Sequence, residues 1–102
     1  MASILQEKKQ AITEACRRFK VARMYVFGSA LRDDFSLHAS DIDLLVEFED
    51  MSPFELVDAY FGLLAELERI LDSPVDLVMA DAVKNRYIAA DIERTRRLMY
   101  AA

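Results

Sequence analysis

One glycine–serine pair and three aspartates are the residues of this chain whose types and spacing suit phosphate binding and metal binding. Gly28-Ser29 follows the apolar run 24–27, and an eleven-residue spacer separates it from Asp41-Ile42-Asp43. A strand that ends in Gly-Ser presents backbone N–H groups and a hydroxyl to an anion at the start of a helix. Alternate residues of a strand share a face, so Asp41 and Asp43 are expected to emerge together. The pattern predicts a phosphate-binding turn beside a pair of metal-binding carboxylates.

A third aspartate, Asp76, interrupts the apolar run 75–79, which reads as a strand with Val75 and Leu77 on its other face. Carboxylates on such strands are costly unless they are paired, solvated or bound to metal. Mg²⁺ prefers oxygen ligands, and two such ions can clamp the oxygens of a phosphoryl displacement. A third aspartate can also accept the proton of the nucleophile. The three carboxylates therefore favour a metal-dependent nucleotidyl transfer.

The elements that must position these residues follow from periodicity and from start and stop signals. Ser52-Pro53-Phe54-Glu55 is a capping box that starts a helix, and Ser73-Pro74 ends it. Asp81 is expected to cap a last helix that runs to about Arg94. The other expected elements are a helix at 3–19, a short helix at 29–33, strands at 23–28, 41–48 and 75–79, and a tail at 98–100 that continues the last helix or forms a strand. The order indicates an α/β (α+β) fold, a small mixed β-sheet with helices packed on one side, with strand order left open.

The helix at 53–71 is too apolar to bury only one stripe. One line of apolar residues comprises Phe54, Val57, Phe61, Leu64 and Leu71, and a second comprises Leu56, Tyr60, Leu63, Leu67 and Ile70. A surface helix normally needs a single apolar face. We therefore expect another chain, either a partner or a second copy, to cover part of this helix.

Size and composition exclude several classes of protein. Residues 1–102 are expected to form one domain, and the formal charge of −5 argues against stable binding of nucleic acid. The single cysteine, Cys16, excludes an internal disulfide and a cysteine-based metal site. No apolar run approaches the ~20 residues that a membrane helix needs. The N-terminus lacks the order of a signal peptide, so a cytoplasmic protein without membrane contact is expected.

Taken in order, these motifs resemble the minimal nucleotidyltransferases of the polymerase-beta-like superfamily. The similar segments are Gly28-Ser29, residues 40–46 and residues 75–78, and the spacer is one residue longer than in the usual motif. The resemblance implies that Asp41, Asp43 and Asp76 are catalytic residues and ligands of Mg²⁺, with two ions expected. It also implies that Gly28, Ser29 and Arg32 contact the phosphates of ATP, the expected substrate.

Small members of this family resemble antitoxins that act on a HEPN-domain partner. The resemblance then implies transfer of AMP from ATP to a tyrosine of a HEPN ribonuclease toxin, with contact possible through helix 53–71. One alternative is a non-catalytic, nucleotide-binding antitoxin or subunit that neutralises its partner by direct binding. Another is a nucleotidyltransferase that acts on a small molecule. The apolar helix could also serve self-association.

Overall fold

The computed structural model describes residues 3–28 and 41–102, which form four helices and four strands. In chain order, the described elements are α1 (Ser3–Glu7), α2 (Lys9–Arg18), β1 (Val21–Phe27), β2 (Ile42–Phe48), α3 (Pro53–Leu71), β3 (Val75–Met79), a 3₁₀ turn (Ala80–Ala82), α4 (Arg86–Thr95) and β4 (Arg97–Ala101). The expected short helix at 29–33 and the side chains of Ser29 and Arg32 lie outside the described residues.

The four strands form one mixed sheet in the order β3-β2-β1-β4. β2 and β3 are parallel, whereas β1 pairs antiparallel with both β2 and β4. A parallel pair needs a long crossover between its strands, and here α3 supplies it. The mixed α+β fold expected from the sequence is confirmed, and the tail at 98–100 belongs to a strand.

The core lies between one face of the sheet and the helices α1, α2 and α3. On the sheet it is built from Met24, Val26, Ile42, Leu44 and Val46. From the helices it receives Leu5, Ile12, Cys16, Leu63 and Leu67. The alternation along β2 buries Ile42 and Leu44 on this face and leaves Asp43 on the other. The core therefore fixes which face of the sheet presents the aspartates.

Capping residues define both ends of α3. Ser52 caps α3, accepting a hydrogen bond at Oγ from the backbone N–H of Glu55 at 3.3 Å. The helix ends at Leu71, as the following Ser73-Pro74 predicts. Its C-cap, Asp72, adopts the left-handed conformation, with φ 49°. The expected helix at 3–19 is interrupted at Lys8, which separates α1 from α2.

The expected start of the last helix was wrong. Asp81 lies in the 3₁₀ turn, and Asn85 caps α4 instead. The Asn85 side chain accepts hydrogen bonds from the N–H groups of Tyr87 and Ile88 at 2.9 and 3.2 Å. Both residue types are good N-caps, so the choice depends on where the chain turns after β3. None of the helices in the described ranges combines the length and apolarity that a membrane crossing needs.

Candidate active site

The ends of β2 and β3 bring two of the three predicted aspartates side by side. The two parallel strands pair in a register in which Asp43 lies opposite Asp76. At the same end, the N–H of Ile42 donates to the carbonyl of Pro74 at 3.2 Å. Neighbouring strands are about 4.8 Å apart, and residues in register point to the same face. Asp43 and Asp76 therefore share the sheet face that α1–α3 leave uncovered.

The burial of the three aspartates differs in a way that follows from their positions. Asp41 immediately precedes β2 and is exposed, as is Asp76 on the edge strand β3. Asp43 lies on the central strand β2 and is half-buried. Asp41 and Asp43 both have interactions within the protein. The site is thus built around Asp43, with Asp41 one step outward along the strand and Asp76 beside it.

Gly28 is the second part of the site, and the position of the Asp43 carboxylate leaves no room for a side chain there. It directly follows β1, whose last residue, Phe27, pairs with Asp43 in the sheet register. A Cβ on Gly28 would collide with Oδ2 of Asp43 and lie 3.1 Å from its Cγ. The backbone of Gly28 also has φ +70°, which side chains rarely tolerate. The glycine therefore lets the Asp43 carboxylate pack directly against the backbone turn.

The rest of the sheet face that carries Asp43 has a charged and aromatic cluster. Arg23 donates to both carboxylate oxygens of its register partner Glu47, at 2.9 and 3.2 Å. These hydrogen bonds lower the pKa of Glu47. The guanidinium of Arg96 stacks on the ring of Tyr25 with 4.0 Å to its centroid. Glu47 is thus held by a cation on the same face as Asp43, and is not drawn into the aspartate pair.

Sequence reasoning did not find Tyr25 and Arg96 on this face. Tyr25 could have been placed by its alternation with the buried Met24 and Val26. Arg96 could not, because it belongs to a basic cluster that charge patterning reads as a solvated surface. Its position depends on the turn from α4 into β4, which sets Arg97 opposite Val26.

The carboxylate oxygens at this site determine which mode of metal binding it could support. Across residues 3–28 and 41–102, no three acidic, histidine or cysteine side chains are gathered closely enough to hold an ion among them. Mg²⁺, however, usually binds through one or two carboxylates together with substrate phosphates, and it keeps several waters. A pair of neighbouring aspartates beside a backbone turn fits that mode of binding. The donor set therefore suits an ion that arrives with a nucleotide.

A cavity of about 290 Å³ lies at the other end of β2 and β3, lined in part by Phe48, Asp50 and Met79. Asp43 and Phe48 are five residues apart on one strand, which is about 16 Å at ~3.3 Å per residue. This cavity is therefore remote from the aspartate pair. We place the candidate active site at Gly28, Asp43 and Asp76, where the chemistry-bearing groups meet.

Comparison with known proteins identifies the family of the chain. Residues 8–99 match the family model described as Nucleotidyltransferase domain. The chain is 37% identical over 90 residues to a protein of Methanocaldococcus jannaschii named as a candidate protein adenylyltransferase, covering 88% of this chain and 85% of the relative. It is 39% identical over 83 residues to the protein adenylyltransferase MntA of Thermococcus cleftensis, covering 81% and 77% of the two chains.

Solved structures have the same fold. One, described as a candidate minimal nucleotidyltransferase, superposes with a TM-score of 0.78 at 28% identity and covers 95% of both chains. Another, a toxin–antitoxin with AMP-PNP, superposes with a TM-score of 0.69 at 24% identity and covers 92% of this chain and 73% of the other. The match over most of the chain, the shared fold and the aspartate pair lead to one assignment: this chain belongs to the minimal nucleotidyltransferase family and is a nucleotidyltransferase.

Proposed function

We propose that this chain is an Mg²⁺-dependent protein adenylyltransferase that acts as an antitoxin, transferring AMP from ATP to a tyrosine of a HEPN ribonuclease toxin. The observation that carries the proposal is the register of Asp43 with Asp76 beside the Gly28 turn. Relatives named protein adenylyltransferases support it. Solved structures of the same fold include an MntA–HepT toxin–antitoxin complex and a toxin–antitoxin with AMP-PNP.

In the proposed reaction, the tyrosine oxygen bonds to the α-phosphorus of ATP. The bond between the α-phosphorus and its bridging oxygen breaks, and pyrophosphate leaves. Asp76 accepts the tyrosine proton, since a carboxylate beside the nucleophile can serve as a general base. Asp41, Asp43 and Asp76 would supply carboxylate ligands to Mg²⁺ alongside the substrate phosphates and water, and the bound metal would neutralise charge on the phosphates.

The turn after β1 positions the nucleotide. Backbone N–H groups at Gly28 and Ser29 bind a phosphate, and the hydroxyl of Ser29 adds a donor. Arg32 supplies a guanidinium, which matches the oxygens of a phosphate. The close packing of Gly28 against Asp43 sets this phosphate site next to the carboxylates. Triphosphate and metal ligands then meet without rearrangement of the sheet.

One observation favours a second candidate function. Exposed phenylalanines on α3 suit an antitoxin that neutralises its partner by contact alone. The two functions differ in what they require. We would assay the ribonuclease activity of the purified HEPN toxin with this chain, under ATP with Mg²⁺, under EDTA, and with the variant Asp41→Asn/Asp43→Asn/Asp76→Asn.

The adenylyltransferase function predicts that wild-type protein with ATP and Mg²⁺ silences the toxin, whereas EDTA or the triple variant leaves the toxin active. After removal of the antitoxin, the modified toxin should stay silent. Silencing that is equally strong with EDTA and with the triple variant would establish the contact mechanism instead.

A further inference from the structure

The N-terminal half of α3 presents an apolar stripe to solvent. We define the stripe as Phe54, Val57 and Phe61, which are 87%, 54% and 62% exposed. Their spacing places them on one side of the helix, and the opposite side buries Leu63 and Leu67 in the core. Within the described ranges the stripe contains the two most exposed phenylalanines. A cluster of this kind marks a surface that another molecule covers.

The stripe is held in place before any partner arrives. The ring of Phe61 packs edge-on against Tyr60, with 5.1 Å between centroids. The hydroxyl of Tyr60 in turn donates to the carbonyl of Leu77 on β3 at 2.5 Å. Phe54 sits in the first turn of α3, which Ser52 caps. A fixed helix backbone and a packed Phe61 ring reduce the conformational freedom that is lost on binding.

The surroundings of the stripe are mostly acidic. Glu55 and Asp58 are exposed on the same half of α3. Glu49, Asp50 and Asp81 are also exposed, and they line one cavity together with Leu56 of α3. The nearby cations are Arg18 and Lys20, which line a second cavity with Glu55 and Asp58. A matching surface would thus be apolar at its centre and basic at its rim.

A second copy of this chain does not meet that requirement. Antiparallel pairing of two α3 helices with Phe54 on Phe61 of the second copy would set residue 57 against residue 58. The two Asp58 carboxylates would then be neighbours. Like charges juxtaposed in an interface disfavour the pairing, so the occupant of the stripe is a different protein.

The stripe also lies on the other side of the sheet from the aspartates. α3 packs on the face that carries Leu44 and Val46, whereas Asp43 and Asp76 emerge on the opposite face. A protein bound to the outer side of α3 would leave the candidate active site open to nucleotide. Docking and transfer are therefore separate events on separate surfaces.

We propose that the stripe of α3 is the surface on which the toxin docks, through a patch that is apolar at its centre and basic at its rim. The inference rests on the proposed function for the identity of the partner. The acceptor tyrosine then lies on a part of the toxin that extends beyond the docked patch, or on a second toxin subunit. Nucleotide and docked toxin occupy the protein at the same time.

The test is binding of the purified HEPN toxin, measured by titration calorimetry with and without AMP-PNP. Phe54→Ser/Phe61→Ser should raise the Kd at least about 30-fold, as expected for loss of aromatic anchors. The control Tyr87→Ser/Ile88→Ser removes apolar side chains that are 74% and 54% exposed on α4. It should change the Kd less than about two-fold, as for residues outside the contact. Circular dichroism should show both variants folded.

A second variant tests the charge of the rim. Asp58→Lys should weaken docking and reduce its dependence on salt, because opposite charges at a rim are screened by ions. AMP-PNP should leave the Kd of the wild-type protein unchanged. Stripe variants that bind as tightly as wild type would overturn the inference. So would a wild-type dimer that the stripe variant dissociates, or the absence of any wild-type complex with the toxin.

These outcomes are distinguishable from failure of the proposed function. A toxin that docks on the stripe without gaining AMP would remove the transferase activity and keep the docking surface. A toxin that gains AMP from both the wild type and the stripe variant, and binds both with equal affinity, would keep the transferase activity and remove the docking surface.

Discussion

Gly28 and Asp43 pack so closely that no side chain could stand between the backbone of one and the carboxylate of the other. The contact joins the turn after β1 to the central strand β2. It couples the part of the site expected to bind phosphate to the part expected to bind metal. One residue type, glycine, meets both the steric demand and the positive φ at this position.

Gly28→Ala tests this contact. The alanine must adopt a left-handed backbone, which costs about 1–2 kcal/mol, and it must displace the Asp43 carboxylate. We expect a lower melting temperature and ATP affinity reduced by at least ~10-fold in the presence of Mg²⁺, since small misplacements in a site are costly. Titration calorimetry with ATP measures the second effect.

The other glycine of the chain provides the matched control. A Cβ on Gly62 would lie 2.5 Å from Cε1 of the Phe19 ring, so Gly62→Ala also forces a steric adjustment, but between α2 and α3. Its ATP affinity should equal that of wild type. Equal ATP affinities for both alanine variants and the wild type would refute the role assigned to Gly28.

Tyr60→Phe removes the hydrogen bond between the Tyr60 hydroxyl and the carbonyl of Leu77. The lost bond leaves a partly buried carbonyl without that donor, and we expect the free energy of unfolding to fall by about 1–2 kcal/mol. Urea denaturation measures the loss. Tyr87→Phe, at a position that is 74% exposed, should leave stability unchanged, and an equal effect of the two changes would argue against the anchor.

Asn85→Ala removes the cap of α4. Because the Asn85 side chain accepts two backbone N–H groups, the free energy of unfolding should fall by about 1 kcal/mol. Asp81→Ala removes the residue that the sequence alone favours as the cap, and it should have a smaller effect on thermal unfolding. A larger loss for Asp81→Ala would restore the expectation drawn from the sequence.

Cys16 is expected to make the stability of the fold decrease with rising pH in the alkaline range. Burial raises the pKa of its thiol to about 12, whereas in the unfolded chain the value is about 8.5. The unfolded state loses the proton first, so stability is complete below pH ~8.5 and falls as the pH rises towards 12, with a limiting slope of about 1.4 kcal/mol per pH unit. Cys16→Ala removes this contribution.

The measurement is the difference in pH slope between the wild type and Cys16→Ala in urea denaturation above pH 8.5. The subtraction cancels the titration of tyrosines and lysines that both proteins share. Parallel slopes would show that the thiol is not protected in the folded state. Alkylation of Cys16 by iodoacetamide should likewise require unfolding.

Much of the fold could be predicted because its signals are local. Ser52-Pro53 and Ser73-Pro74 bracket the helix that the structure places at Pro53–Leu71, and the strand Val75–Met79 was predicted without error. The start of α4 could not be predicted, since Asp81 and Asn85 are both good caps and tertiary structure chooses between them. Strand order was also inaccessible, because it depends on contacts between distant segments.

The candidate site, too, could be predicted only in the part that depends on local patterns. Alternation along the strands indicated which face carries Asp43 and Asp76, and burial in the structure agrees. Their side-by-side register required the parallel pairing of β2 with β3, which no local pattern encodes. The roles of Asp41, Asp43, Asp76, Gly28, Ser29 and Arg32 stay predictions until variants are assayed.

The central claim is that the aspartates beside Gly28 drive AMP transfer to the toxin. The most direct measurement is the intact mass of the purified HEPN toxin after incubation with this chain, ATP and Mg²⁺. Wild type should add one or more AMP units, and Asp43→Asn should slow the addition by about 10²-fold or more, as for loss of a group that stabilises transition-state charge. Glu14→Gln, at an exposed acid of α2 on the other side of the sheet from the aspartates, should transfer as wild type does. A toxin whose mass never changes, or one that Asp43→Asn modifies at the wild-type rate, would contradict the account.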